Sequence, residues 1–163
     1  MKIGSKIVYP MHGAGIVVDI EHEDFFGKRI EYCTMKVAQK DMTLKFPLDR
    51  SENLHIRKVS NMEAIFGQIR EKEPEEYIHS SNWNKRYQAT LEKMKVGSTS
   101  DMATVLVNLK SLETIKGLSS GERQLYHTAM DILTSELMLI KDCEYEGAYK
   151  LLEQCLEDSI CEV

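Results

Sequence analysis

The sequence predicts an α+β chain in which a small SH3- or Tudor-like β-barrel precedes a compact all-α helical bundle. Two observations predict this class. Up to about residue 57, apolar and polar side chains alternate in short runs broken by glycine turns. From Ser60 onward the apolar residues recur at helical spacing behind three Ser-x-x-acid capping signals. The boundary is placed at 58, giving segments 1–58 and 59–163.

The front half divides into four or five strands. Lys6-Ile7-Val8-Tyr9 is closed by Pro10 and by the turn cluster Gly13-Ala14-Gly15. Gly15 to Ile20 resumes a β-branched pattern, which Phe26-Gly27-Lys28 breaks. Arg29 to Val37 alternates again, Met42 to Pro47 follows the turn at Gln39-Lys40-Asp41, and Leu54 to Arg57 forms a short last run. Short strands with glycine turns and no long helix suit a bent barrel. Such barrels bind peptides, proteins or nucleic acid, and the fold does not choose among them.

In the back half, Ser60 with Glu63, Ser98 with Asp101 and Ser119 with Glu122 mark helix starts. The 101–116 segment places Met102, Val105, Leu106, Leu109 and Leu112 on one face. The 120–140 segment does so with Leu125, Ala129, Ile132, Leu133 and Leu137, and 144–160 with Tyr145, Ala148, Leu152, Cys155 and Leu156. Gly97 and Gly117 separate the helices. These stripes read as bundle core. Residues 71–81, which contain Pro74, read as a loop that ends in N-cap material, Ser80-Ser81-Asn82.

Composition excludes several classes. A hydrophobic fraction of 42% with 29% charged residues is that of a folded chain. No apolar stretch approaches the roughly 18 residues of a membrane helix, and the N-terminus does not resemble a signal peptide. A cytoplasmic protein is expected, with Cys33, Cys143, Cys155 and Cys161 as reduced thiols, since they show no CxxC spacing. The cysteines and His127 form no zinc pattern, His12 lacks a nucleophile or acid partner, and no phosphate-binding or hydrolase motif occurs. No catalytic residue, metal or cofactor is therefore expected.

The net charge is −5, but its distribution is uneven. Residues 98–163 carry 5 basic and 12 acidic side chains, whereas 82–97 hold Lys85, Arg86, Lys93 and Lys95 against Glu92. This basic island begins a helix capped by Asn82, with Tyr87, Leu91 and Met94 on its core face. Lys85 and Arg86 are expected to point away from that face. Cations in a first turn oppose the helix dipole, yet with free backbone amides they suit a phosphate. Trp83 lies at the lip of the core face, either tucked in or protruding. Two readings stay open: a bundle residue beside a solvated face, or an aromatic wedge for the DNA minor groove.

Taken together, the motifs resemble the CarD family of bacterial transcription regulators, including its CdnL branch. The resemblance rests on Gly4-Ser5-Lys6-Ile7-Val8-Tyr9-Pro10-Met11-His12-Gly13-Ala14-Gly15, on Glu31-Tyr32, and on Asp41-Met42-Thr43-Leu44-Lys45-Phe46-Pro47. It continues in Asn82 to Lys93 and in Lys116-Gly117-Leu118-Ser119-Ser120-Gly121-Glu122-Arg123. It implies a non-enzymatic protein, nucleoid-associated through RNA polymerase. Its Tudor-like domain would dock on the protrusion/lobe 1 region of the polymerase β subunit, through Lys45 with Phe46 and Pro47. Its helical domain would set Trp83 into the minor groove at the upstream edge of the −10 element. Asn82, Lys85, Arg86 and Lys93 would contact the backbone with weak sequence preference, stabilising the open promoter complex. Gln88 stands where many members carry lysine or arginine, and Glu23 where some carry a basic residue. The competing expectation is an adaptor whose helical half binds another protein.

Overall fold

The computed structural model describes residues 1–80 and 82–161. Five strands come first: β1 (Lys6–Tyr9), β2 (Gly13–Phe25), β3 (Lys28–Val37), β4 (Thr43–Pro47) and β5 (Arg57–Lys58). They pair antiparallel in the order β4-β3-β2-β1-β5. β3 matches the run expected from Arg29 to Val37, whereas β2 is longer than the apolar alternation suggested, because its outer part, from Glu21 to Phe25, is exposed on both faces. Its turn residues Phe26 and Gly27 both have positive φ, the geometry that matches strand twist in a tight hairpin. A register shift between Val17 and Asp19 bends β2. At Gly15 a Cβ would stand 2.3 Å from the Lys36 carbonyl oxygen, so only glycine lets the two strands approach. Ile7, Val17, Cys33, Met35, Val37 and Phe46 fill the barrel. This is the α+β, Tudor-like front expected from the sequence.

Among the described residues six α-helices follow: α1 (Met62–Glu71), α2 (Tyr77–Ser80), α3 (Trp83–Val96), α4 (Thr99–Lys116), α5 (Ser120–Lys141) and α6 (Tyr145–Cys161). The segment read as a loop contains the single turn α2; Ser81 lies outside the described residues. Ser98 and Ser119 cap α4 and α5 as expected. Ser60 does not cap α1. Asn61 does, with its Oδ1 accepting from the Ala64 amide at 2.8 Å, while the Ser60 hydroxyl pairs with Thr99. The one apolar face expected on α4 is also too narrow. Every residue from Met102 to Leu109 is buried, because α4 packs against α1, α2, α3, α5 and α6.

The two halves share a core. Val8 and Ala14 of the barrel join the same apolar cluster as α4, α5 and α6. The Ala14 amide donates to Ser135 Oγ at 2.8 Å, and Lys6 Nζ to the Leu139 carbonyl at 2.7 Å. At the centre of the junction, the Arg57 guanidinium donates to both carboxylate oxygens of Glu136, at 2.7 and 2.9 Å. Arg57 Nε also reaches the carbonyl of Gly97, the left-handed C-cap of α3, at 2.9 Å, and the Ser60 amide donates to Glu136 at 2.6 Å. Glu136 is 0% exposed. A carboxylate so buried is tolerated only because its oxygens are filled by charge-assisted and backbone donors. Arg57 thereby ties the barrel to both α3 and α5.

Candidate nucleic-acid interface

The α3 start is built by local capping and by one tertiary contact. Asn82 Oδ1 accepts from the Lys85 amide at 3.0 Å, so Asn82 is the N-cap. The inward stripe is Arg86, Thr90 and Met94, with Tyr87 and Leu91 half-buried beside it. This corrects the expected orientation of Arg86. It does not point away from the core but is only 9% exposed, with Nε 2.7 Å from Glu122 Oε1. The helix is turned by about one residue from the apolar prediction, because α5 presents a carboxylate that Arg86 must meet.

Glu122 is itself 1% exposed and belongs to the capping box of α5. Its second oxygen accepts from the Ser119 amide at 3.0 Å and hydroxyl at 2.8 Å, and its own amide donates to Ser119 Oγ at 3.2 Å. Burial pushes the carboxyl's pKa up, but the bonds donated by Arg86 and Ser119 outweigh it, so the pKa lies below its ordinary 4.5. A folded pKa below the unfolded one means stability present above that ordinary value and lost as pH falls through the folded pKa. Arg86→Ala should therefore raise the Glu122 pKa and move the acid transition to higher pH. An acid titration of the variant followed by circular dichroism checks this.

Trp83 is neither tucked in nor free. It is 44% exposed, stacks on Tyr87 with ring centroids 5.4 Å apart, and donates from Nε1 to Ser119 Oγ at 2.6 Å. The N-terminal turn of α5 forms its floor: a Cβ on Gly121 would lie 3.6 Å from the indole and 3.3 Å from the Tyr87 ring. Lys85 is exposed beside it, and no ion pair among the described residues engages it.

Lys93 is not gathered with these groups. It lies roughly 15 Å farther along the helix, at ~1.5 Å per residue, and sits 3.6 Å from Glu75, which Asn108 also holds. The α3 start thus brings together Asn82, Trp83 and Lys85, keeps Arg86 internal, and leaves Lys93 on another part of the surface. Sequence reading missed Ser119 and Glu122 as supports of this helix start, Ser119 beneath the indole and Glu122 buried against Arg86. Their capping box was visible, but its contact with α3 spans about 36 positions. Arg123, the next residue of α5, is exposed.

On the barrel, β4 is an edge strand. Lys45 extends from its outer face and donates to Glu23 at 2.6 Å and to Glu21 at 2.9 Å, above the Tyr32 ring. The bonds to Glu23 and then Glu21 hold its pKa well above the usual lysine value. Pro47 is half-buried. Phe46 corrects the expectation of a surface contact: it is 2% exposed, in the barrel core, edge-on to Tyr9. Strand alternation sends Lys45 outward and Phe46 inward.

Among the described residues, no group of three or more His, Cys, Asp or Glu side chains is placed to hold a metal. No helix among them is long and apolar enough to cross a membrane.

Comparison with known proteins adds three findings. Residues 1–60 match the model of the CarD-like/TRCF RID domain, and residues 64–153 match that of the CarD C-terminal domain. The chain is 31% identical over 140 residues to a Bacillus subtilis (strain 168) protein named "Putative transcription factor YdeB". That match covers 86% of this chain and 92% of the relative.

Proposed function

We propose, on the premise that this chain belongs to the CarD family of transcription factors, that it docks on RNA polymerase and stabilises the open promoter complex with Trp83. Residues 1–58 would bind the β subunit at its protrusion/lobe 1 region, through the β4 edge and Lys45. Residues 59–163 would place the Trp83 indole in the minor groove at the upstream edge of the −10 element, with Lys85 and the capped helix start against the backbone.

The observation that carries this reading is the half-exposed indole at a basic helix start, held on one side by Tyr87 and Ser119. A rigid apolar plate of this kind suits insertion at a base step, where unstacking costs roughly a few kcal/mol. Arg86 enters the reading as a support for the helix start through Glu122, and Phe46 as barrel core beneath Lys45. Few cations are left to grip phosphate, and the chain is acidic overall. DNA binding by the free protein is therefore weak, and docking on polymerase supplies the high local concentration that makes a small contact count. If the wedge fits only the melted fork, it shifts the closed–open equilibrium by its difference in affinity for the two states.

Footprinting of a polymerase–promoter complex with and without the protein tests this. Added protection confined to the upstream fork is expected. An unchanged footprint with polymerase binding retained would favour the adaptor reading, in which the helical half meets another protein.

A further inference from the structure

We infer that Ser119 is a positioning residue for Trp83, presetting the orientation of the wedge before DNA is met. This rests on the wedge reading of Trp83 and concerns how that side chain is held. The indole is a donor only, and its Nε1–H is met by Ser119 Oγ at 2.6 Å. That oxygen has no freedom left: its proton goes to Glu122 Oε2, and its lone pairs accept from Trp83 and from the Glu122 amide. Glu122 in turn binds Arg86, one helical turn beyond Trp83 on the same helix. The contacts form a closed loop: Trp83 to Ser119, Ser119 to Glu122, Glu122 to Arg86, and Arg86 back along α3 to Trp83. Tyr87 covers one face of the ring, and Gly121 leaves room for its edge.

The same serine thus caps α5 and aims the tryptophan. An exposed aromatic in a first helical turn would otherwise sample several rotamers, and ordering it would reduce affinity at the moment of insertion. Held in this loop, the free edge of the indole is presented in one orientation. The device also makes the wedge depend on two helix starts being in register.

Ser119→Gly separates the two roles, because glycine retains most of the N-cap's stability yet offers no acceptor to the indole. Ser119→Thr restores both. Trp83 is the one tryptophan of the chain, so its fluorescence reports the wedge directly in the free, full-length protein. Ser119→Gly is expected to raise the acrylamide quenching constant about twofold and to lower the anisotropy. Open-complex lifetime should fall about fivefold, which is ~1 kcal/mol at ~1.4 kcal/mol per tenfold, with polymerase affinity unchanged. Ser119→Thr should return each quantity towards wild type.

The inference is overturned by unchanged quenching and anisotropy in Ser119→Gly, or by a Ser119→Thr variant that behaves like the glycine one. It is also overturned if the indole loosens while the lifetime stays at wild type under conditions where Trp83→Ala shortens it. A Trp83→Ala variant with a wild-type lifetime identifies a different failure, that of the wedge reading itself, and the positioning role falls with it.

Discussion

Trp83→Ala is expected to return open-complex lifetime to the level seen without the protein, while polymerase binding stays at wild type. Truncating an aromatic anchor at the centre of an interface costs about 2–4 kcal/mol, equivalent to roughly 30-fold or more in an equilibrium at ~1.4 kcal/mol per tenfold. The loss should be confined to function, since the indole is half-exposed and its removal opens no cavity in the shared core. Ser119 would keep its capping bonds to Glu122 and lose only the indole donor. Single-round lifetimes on a promoter with a short-lived open state, measured beside polymerase binding, check both halves of the expectation. Equal lifetimes with the variant and the wild type would contradict it.

Glu136→Ala is expected to have the largest effect on the fold. It leaves the Arg57 guanidinium without its two charge-assisted partners and removes an acceptor from the Ser60 amide. Breaking a buried pair from one side costs about 3–5 kcal/mol, a large part of the ~5–15 kcal/mol that holds a typical domain together. The Arg57→Ala/Glu136→Ala double variant should lose less than the sum of the two single losses, because the second change removes a charge already stranded. Denaturant titration of the four proteins measures the coupling. A loss below about 1 kcal/mol for Glu136→Ala would mean that the junction is held by apolar contact alone.

This junction bears on function as well as stability. The barrel is tied through Arg57 to the C-cap of α3, and Trp83 opens the same helix. The distance between the proposed docking surface and the wedge is therefore fixed by packed structure. On the proposed function, a fixed span would raise effective concentration only at DNA that passes at that distance, and so would confine the wedge to one place on the promoter.

Features that depend on neighbouring residues alone are legible in the chain itself. The caps at Asn82, Ser98 and Ser119 need only a side-chain oxygen and an amide three residues on, which spacing can mark. The same spacing at Ser60 is off by one residue, because its hydroxyl is drawn to Thr99 and Asn61 takes the cap. The strands of the barrel were visible where one face is buried. They were lost in the outer part of β2, where neither face is, and at β5, which runs from Arg57 to Lys58 and not from Leu54 to Arg57.

Arg86 shows what spacing does not reveal. Its neighbours Tyr87 and Leu91 marked an apolar stripe, yet the helix turns to bury the arginine, because its partner arrives from α5. Lys45 is similar: the carboxylates of Glu21 and Glu23 reach it only through the register of β2, β3 and β4. Phe46 was open to a better reading, since alternation with Lys45 on a half-buried strand sends it inward. The docking contact that the family resemblance implies falls on the whole Lys45-Phe46-Pro47 motif, which does not distinguish the two faces of the strand. The junction at Glu136 was the least visible of all, a glutamate on a helix face that any solvated surface could carry.

On the proposed function, the α3 start meets DNA only when polymerase holds it there. Site-specific photo-cross-linking decides the point, with a photoreactive phenylalanine derivative in place of Trp83 and a labelled promoter. The expected result is a cross-link at the upstream edge of the −10 element in the polymerase–promoter complex, and none with the same DNA alone. Cross-links to protein in place of DNA, or equal cross-linking to free DNA, would contradict it.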